Sequence, residues 1–172
     1  MRPFLSPRCS PDRAMLKQIV SGGQTGADQA GWRAAAAFGI STGGWMPKGF
    51  LTEGGPRPEF ARQYGAVEMP TESCTARTEQ NVRDSDATIW FGETTTSGAQ
   101  ATVEACHRHC KPIMLVYPAA SFEPAHVVAW IVANRIRVLN VAGNRERDEP
   151  GIGRRVECFV GQVAELLTRA GS

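Results

Sequence analysis

Apolar runs alternate with helix-forming segments along the whole chain, and this alternation predicts most of the secondary structure. Strands are predicted at residues 16–20, 40–42, 87–91, 113–117 and 137–142. Helices are predicted at residues 27–38, 59–64, 78–84, 101–110, 124–134 and 156–170. The runs at 87–91 and 113–117 are continuously apolar or β-branched, which is typical of strands buried in a parallel sheet. The last helix has the clearest periodicity, because its apolar residues fall on one stripe.

This order of strands and helices predicts an α/β fold of three layers (α/β/α). A mainly parallel sheet of five or six strands would carry helices on both faces. In such sheets a ligand binds beyond the carboxyl ends of the strands, where the strand order reverses. We therefore expect the loop after the first strand and the loop after the 87–91 strand to flank a binding site.

The segment 21–28, Ser-Gly-Gly-Gln-Thr-Gly-Ala-Asp, joins the first strand to the first helix. Glycine permits positive φ and close approach of a ligand to the backbone, and the helix that follows starts with unpaired N–H groups that suit an anion. The first hypothesis is therefore an anion-binding turn. The alternative is structural, with Thr25 as the N-cap of the helix and Asp28 as its capping-box partner.

The turn differs from two better-known phosphate-binding motifs. It lacks the Gly-Lys-Ser/Thr of a Walker A loop and the strict spacing of the dinucleotide fingerprint. The dinucleotide fold also places Asp or Glu at the end of the second strand to hold a ribose, where this chain has Gly43, Gly44 and Trp45. NAD is therefore disfavoured.

Two further segments are rich in small and polar residues. Residues 43–58 contain five glycines and three prolines, a composition that predicts a long loop. Within it, Lys48 could meet a phosphate and Trp45 could stack on a pterin or a purine. Alternatively, Lys48 is a solvated loop residue and Trp45 covers the core. Residues 92–100 form a second polar loop after the 87–91 strand.

Composition and charge narrow the class of protein. The chain has 172 residues, and its formal net charge of +2 is too small to indicate a nucleic-acid partner. No apolar run approaches the roughly 18 residues of a membrane span. Residues 1–14 are predicted to be a disordered tail, with Met15 as an alternative start to Met1, and residues 15–172 a single ligand-binding domain. Five scattered cysteines without a signal peptide are most simply reduced thiols, which predicts the cytoplasm.

Two clusters of polar side chains have competing interpretations. The charged and amide residues of segment 77–83 could face a ligand or form a local ion-pair network. Cys106 and Cys110 lie one helical turn apart and could share a metal, but the two histidines between them diverge on a helix. Buried free cysteine is common, so no protein-ligated metal is predicted.

Three motifs together resemble the putative molybdenum carrier (molybdenum cofactor carrier) family. They are SGGQTGAD at 21–28, GGWMPKG at 43–49 and RTEQNVRDSDAT at 77–88. The stretch TSGAQATVEACHRHCKP at 96–112 resembles the family's second glycine loop and its helix, with Ser-Gly-Ala in place of the usual Gly-Gly-Thr. The resemblance covers roughly residues 15–170. This family belongs to a Rossmann-like superfamily shared with DNA-processing protein A and the lonely-guy phosphoribohydrolases.

The resemblance implies a Rossmann-like fold, a homo-oligomer (dimer or tetramer), and a protein that binds molybdenum cofactor or a related phosphorylated pterin or nucleotide-like ligand. The residues indicated for this binding are Gly22, Gly23, Gln24, Thr25, Gly26, Trp45, Lys48, Arg77, Asn81, Thr96, Ser97 and Gly98. The alternative is an enzyme, a lonely-guy-like phosphoribohydrolase acting on nucleoside 5′-monophosphates, with Arg77 and Glu104 as its catalytic residues. Nucleic-acid binding like that of DNA-processing protein A is disfavoured by the near-neutral charge.

Overall fold

A computed structural model describes residues 16–116 and 122–171. Its main sheet has six strands, and every strand pair in it is parallel. The predicted Rossmann-like α/β fold with a five- or six-stranded sheet is therefore confirmed. The predictions for residues 1–14, for Met15 and for the last residue of the 113–117 strand lie outside the described residues.

The strands in chain order are β1 (Gln18–Val20), β2 (Ser41–Met46), β3 (Leu51–Thr52), β4 (Gly55–Pro56), β5 (Ala66–Glu68), β6 (Ala87–Phe91), β7 (Ile113–Val116) and β8 (Val138–Gly143). The main sheet has the order β5-β2-β1-β8-β6-β7, and β3 pairs only with β4 in a small antiparallel hairpin. The last strand of the chain thus takes the central position between β1 and β6. The loop that follows β8 therefore lies between the two loops that were predicted to flank the site.

The helices are α1 (Ala27–Ala37), α2 (Phe60–Tyr64), α3 (Cys74–Arg83), α4 (Ser97–Arg108), α5 (Pro124–Ala133) and α6 (Ile152–Gly171). The larger core lies on one face of the sheet, where α1, α5 and α6 pack on β1, β6 and β8. On the other face α3 and α4 pack over smaller apolar clusters. Within the described ranges, no helix combines the length and apolar character needed to cross a membrane.

The structure corrects several predicted element bounds. The predicted loop at 43–58 begins instead as the second half of β2, and strand β5 was not predicted at all. Helices α3 and α4 each begin four residues before their predicted starts. The side chains of Ser73 and Thr96 cap these two helices, since each accepts a hydrogen bond from the backbone N–H three residues on. Strand β7 is half exposed, because it forms an edge of the sheet and pairs with β6 alone.

Helix α1 lies directly on β8 because Gly31 has no side chain. A Cβ at this position would lie 2.7 Å from Cγ1 of Val141. Gly161 in α6 offers a contrast, since a Cβ there would lie 3.5 Å from Cε2 of Phe38, an ordinary contact distance.

This difference predicts opposite effects for the same substitution in two helices. Gly31→Ala should destabilise the protein by about 1–3 kcal/mol through overpacking against Val141, although alanine is the better helix former. Gly161→Ala should stabilise it by roughly 0.5–1 kcal/mol. Urea unfolding of both variants measures the effects. A Gly31→Ala variant as stable as the wild type would show that α1 is not held this close to the sheet.

Candidate ligand-binding site

A cavity of about 180 Å³ opens at the carboxyl edge of the sheet, on the face that carries α3 and α4. Five parts of the chain line it: the glycine turn with the start of α1, one face of α3, Trp90 in β6, the first turns of α4, and β8 with Arg145 beyond it. The lining residues are Gln24, Asp28, Cys74, Thr75, Arg77, Thr78, Asn81, Trp90, Ser97, Gly98, Ala101, Thr102, Asn140, Ala142, Gly143 and Arg145. Both loops predicted to flank the site therefore reach it.

The ion pair between Asp28 and Arg77 joins the glycine turn to α3. Nη1 of Arg77 lies 3.4 Å from Oδ2 of Asp28, and the two side chains are only 11% and 4% exposed. The guanidinium lies over Gly22, in space that any Cβ at that position would occupy. Nε of Arg77 is buried and has no hydrogen-bond partner among the described residues. Arg77 thus brings a buried donor to the cavity that the fold leaves unused.

Protein atoms fill the space beside the other two glycines of the turn. A Cβ on Gly23 would lie 2.7 Å from Sδ of Met46, and one on Gly26 would lie 2.5 Å from the backbone O of Asn144. Both glycines have positive φ, so they are also needed for the backbone conformation. Close packing within the protein therefore explains these glycines without a ligand.

The capping predicted for α1 is not present. The N-cap is Gly26, and no side chain caps the helix. The Thr25 hydroxyl instead hydrogen-bonds the Glu53 carboxylate from the β3–β4 hairpin. Asp28 Oδ2 accepts a hydrogen bond of 3.2 Å from the backbone N–H of Gln24. The amide groups of the turn thus surround a carboxylate that belongs to the protein.

The environment of Asp28 acts on its pKa in two directions. Burial raises the pKa of this carboxyl group above the ordinary value of 3.8. The positive charges of Arg77 and Arg145 and the backbone N–H groups of Gln24 and Gly22 oppose this by favouring the ionised form. The net shift is upward, so ionised Asp28 is less stable in the folded protein than in water.

The cavity also has donors that the described part of the protein does not use, at the start of α4 and after β8. Ser97 and Gly98, in the first turn of α4, are exposed, and within the described ranges their backbone N–H groups have no acceptor. A Cβ on Gly98 would meet only Trp90, at 3.5 Å. The half-buried Arg145 guanidinium has no carboxylate within 4 Å in the part of the chain that the structure describes. The cavity therefore presents unused donors beside a helix N-terminus.

Asn81 lines the cavity, whereas Trp45, Lys48 and Thr96, which were also predicted for the site, lie outside its lining. The amide of Asn81 is used within the fold, since it bonds the backbone N–H and the carbonyl of Trp45 at 2.8 and 3.0 Å. The indole N–H of Trp45 donates to Asp84, and its ring lies in a separate shallow pocket. Lys48 is exposed in a one-turn 3-10 helix. Thr96, another predicted site residue, is the N-cap of α4 and also bonds Asn144.

The enzymatic and metal-binding candidates lie outside the cavity, except for Arg77. Glu104 is exposed on α4 and is not among the lining residues. Burial raises the pKa of the Cys106 thiol, which keeps it protonated, whereas Cys110 is exposed. His109 bonds Glu79 on α3 at 3.0 Å. Among residues 16–116 and 122–171, no three or more His, Cys, Asp or Glu side chains are grouped for a metal.

Sequence reasoning did not assign several lining residues to the site, chiefly Cys74, Thr75, Thr78, Trp90, Asn140 and Arg145. Cys74 and Thr78 could have been found, because with Arg77 they share one face of a helix at spacings of three and four. Arg145 has no such signal. Its position depends on β8 entering the centre of the sheet.

The sheet order and the cavity at its carboxyl edge define a Rossmann-like α/β protein. Residues 19–164 match the model of the circularly permutated YpsA SLOG family. The chain therefore belongs to this family.

One solved structure gives a close comparison. It is the crystal structure of a protein from Syntrophus aciditrophicus described as "Putative molybdenum carrier protein", which is 37% identical to this chain, with a TM-score of 0.79. The match covers 87% of this chain and 95% of that chain. The resemblance drawn from the three motifs is thus confirmed at the level of the family. A search of the curated proteins finds no match.

The raised pKa of Asp28 predicts a pH-dependent stability. The folded state binds the Asp28 proton more tightly than the unfolded state does. The contribution of this protonation to the free energy of unfolding is therefore complete below pH 3.8 and is lost as the pH rises through the higher pKa of the folded state. The unfolding free energy of the wild type minus that of Asp28→Asn should therefore fall with rising pH. Denaturant unfolding across this range measures it. Asp148→Asn, at an exposed residue, is the control. If the difference in unfolding free energy from the wild type changed with pH equally for both variants, the raised pKa of Asp28 would be contradicted.

Proposed function

We propose that this chain is a binding protein for a phosphorylated pterin or nucleotide-like ligand, with molybdenum cofactor as the leading candidate. The observation that carries this proposal is the surplus of positive charge and unused donors in one cavity. The described lining has two arginines, Arg77 and Arg145, but only one carboxylate, Asp28. The backbone N–H groups of Ser97 and Gly98 have no acceptor among the described residues. Phosphate oxygens are acceptors that suit such donors. The Syntrophus aciditrophicus relative is named as a molybdenum carrier, and for this reason molybdenum cofactor is the leading candidate.

The residues present fit the phosphate end of this cofactor. The open first turn of α4, with Ser97 and Gly98, offers backbone N–H groups, and Arg145, which follows β8, offers a guanidinium to the same cavity. The cavity of about 180 Å³ is smaller than the usual ligand pocket, which is roughly 300–1,000 Å³. A pterin or nucleotide would thus enter with one end only, and the exposed donors of α4 favour the phosphate at the open side.

The proposal is for binding rather than turnover. The hydrolase alternative needs Glu104 beside the ligand, and this residue is exposed outside the cavity lining. The thiol that lines the cavity, Cys74, is exposed and lies at the start of α3. No other observation on the described residues favours bond cleavage.

Arg145 provides the first test. Arg145→Gln should weaken binding of guanosine 5′-monophosphate about tenfold or more, because a charged hydrogen bond to phosphate is lost. The melting temperature should change little, because Arg145 has no carboxylate within 4 Å among the described residues and acts on Asp28 only through its longer-range charge. Isothermal titration calorimetry measures the affinity. Arg154→Gln, an exposed arginine outside the cavity, is the control. Equal affinities in both variants would contradict a phosphate contact at Arg145.

A substitution at Gly98 should weaken ligand binding without lowering the stability of the protein. Gly98→Ala adds a Cβ that the protein accommodates, so the variant should be as stable as the wild type or slightly more stable. The same Cβ narrows the cavity beside Trp90 and should lower the affinity for guanosine 5′-monophosphate several-fold. Thermal unfolding and calorimetry on one sample measure both quantities. Unchanged affinity would place the phosphate away from this turn. Gly161→Ala is the matched control.

A further inference from the structure

The carboxylate of Asp28 is the feature of the cavity that a phosphate-binding role leaves unexplained. It lines the cavity, yet a negative charge repels phosphate. It also lies where an external anion would bind a glycine turn, since the N–H groups of Gln24 and Gly22 already bond it. The backbone N–H of Ala27, the first residue of α1, is taken by the carbonyl of Asn144 at 3.2 Å. The turn is thus occupied by groups of the protein itself.

The carboxylate retains capacity for one more donor. An ionised carboxyl group has about four acceptor positions. The protein supplies three donors to Asp28: the N–H groups of Gln24 and Gly22, and Nη1 of Arg77. All three of these partners are donors, so the contacts favour the ionised form against the opposing effect of burial. The remaining acceptor position is available from the cavity that Asp28 lines.

Depth distinguishes the two ends of the cavity. The Asp28 side chain is 4% exposed, whereas Ser97 and Gly98 on the opposite side are exposed. A ligand with its phosphate at the open side therefore brings its far end to Asp28. In a nucleotide or a pterin phosphate, the far end is the heteroaromatic ring. Trp90, which is 4% exposed and lines the same cavity, adds an aromatic surface beside this path.

We propose that Asp28 is a specificity-determining residue, which excludes phosphate from the glycine turn and accepts a hydrogen bond from a ring N–H or NH₂ group of the ligand. The class of ligand is then a phosphate ester of a ring with donors on its outer edge, as in guanine or a pterin. A ring that presents only acceptors at that edge is rejected. This inference rests on the proposed function and adds to it the orientation of the ligand and the part of it that is recognised.

A pair of probes that differ in ring donors tests this directly. Guanosine 5′-monophosphate carries N–H and NH₂ donors, and purine riboside 5′-monophosphate has the same phosphate and sugar on a ring without them. Calorimetry at neutral pH should give the wild type at least a roughly tenfold preference for the first probe, the effect of one hydrogen bond to a charged group. The preference should fall several-fold in Asp28→Asn, because a neutral amide oxygen accepts a weaker hydrogen bond than a carboxylate. It should persist in Asp148→Asn, whose carboxylate lies outside the cavity.

The outcomes separate this inference from the proposed function. Equal binding of both probes by the wild type, or a preference of undiminished size in Asp28→Asn, overturns the role of Asp28. If Gly98→Ala and Arg145→Gln still weaken both probes, the proposed function stands. If the wild type binds neither probe at millimolar concentration, both proposals fall. If Asp28→Asn does not unfold cooperatively, Asp28→Glu replaces it, because the longer side chain moves the carboxylate and should reduce the preference.

Discussion

The ion pair between Asp28 and Arg77 is the contact on which the carboxyl edge of this fold depends. Asp28 belongs to α1, which packs on one face of the sheet, and Arg77 to α3, which packs on the other. Their side chains meet over Gly22, where the missing Cβ leaves room for the Arg77 guanidinium. Burying both charges is costly, and removing either partner alone leaves an uncompensated buried charge, typically at about 3–5 kcal/mol. The pair therefore specifies how the two helical layers align more than it adds stability.

The central position of β8 completes this arrangement. Because β8 lies between β1 and β6, the loop after it reaches the glycine turn, where the carbonyl of Asn144 bonds the first N–H of α1. The same loop brings Arg145 to the cavity. The cavity thus combines residues separated by more than a hundred positions in the chain. Its charge balance exists only once the last strand has entered the sheet.

Elements whose bounds depend on nearby residues were predicted well from the sequence. The bounds of β6 and nearly those of α1 follow from apolar runs and helix-forming residues. The earlier starts of α3 and α4 could have been predicted from Ser73 and Thr96. Serine and threonine are favoured just before a helix, because their hydroxyl accepts a hydrogen bond from a backbone N–H of the first turn. Non-local features were not predictable in this way. The role of Asn81 depends on a partner in β2, and the position of Arg145 depends on sheet order. Neither the role of Asn81 nor the position of Arg145 is indicated by the residues around it in the sequence.

The glycine turn shows why a motif alone did not locate the ligand. A missing Cβ indicates that something approaches the backbone closely, but a ligand and a neighbouring side chain produce the same sequence. Here the spaces beside the three glycines of the turn are filled by Arg77, by Met46 and by the backbone from Asn144 onwards. The distinguishing residue is the acid at the end of the motif. A turn that holds an external phosphate gains nothing from a buried carboxylate within reach of its amide groups, whereas a turn that holds Asp28 needs a cation beside it, and α3 supplies Arg77. An acid at the head of the helix thus changes the expected ligand contact from the backbone of the turn to the side chain that occupies it.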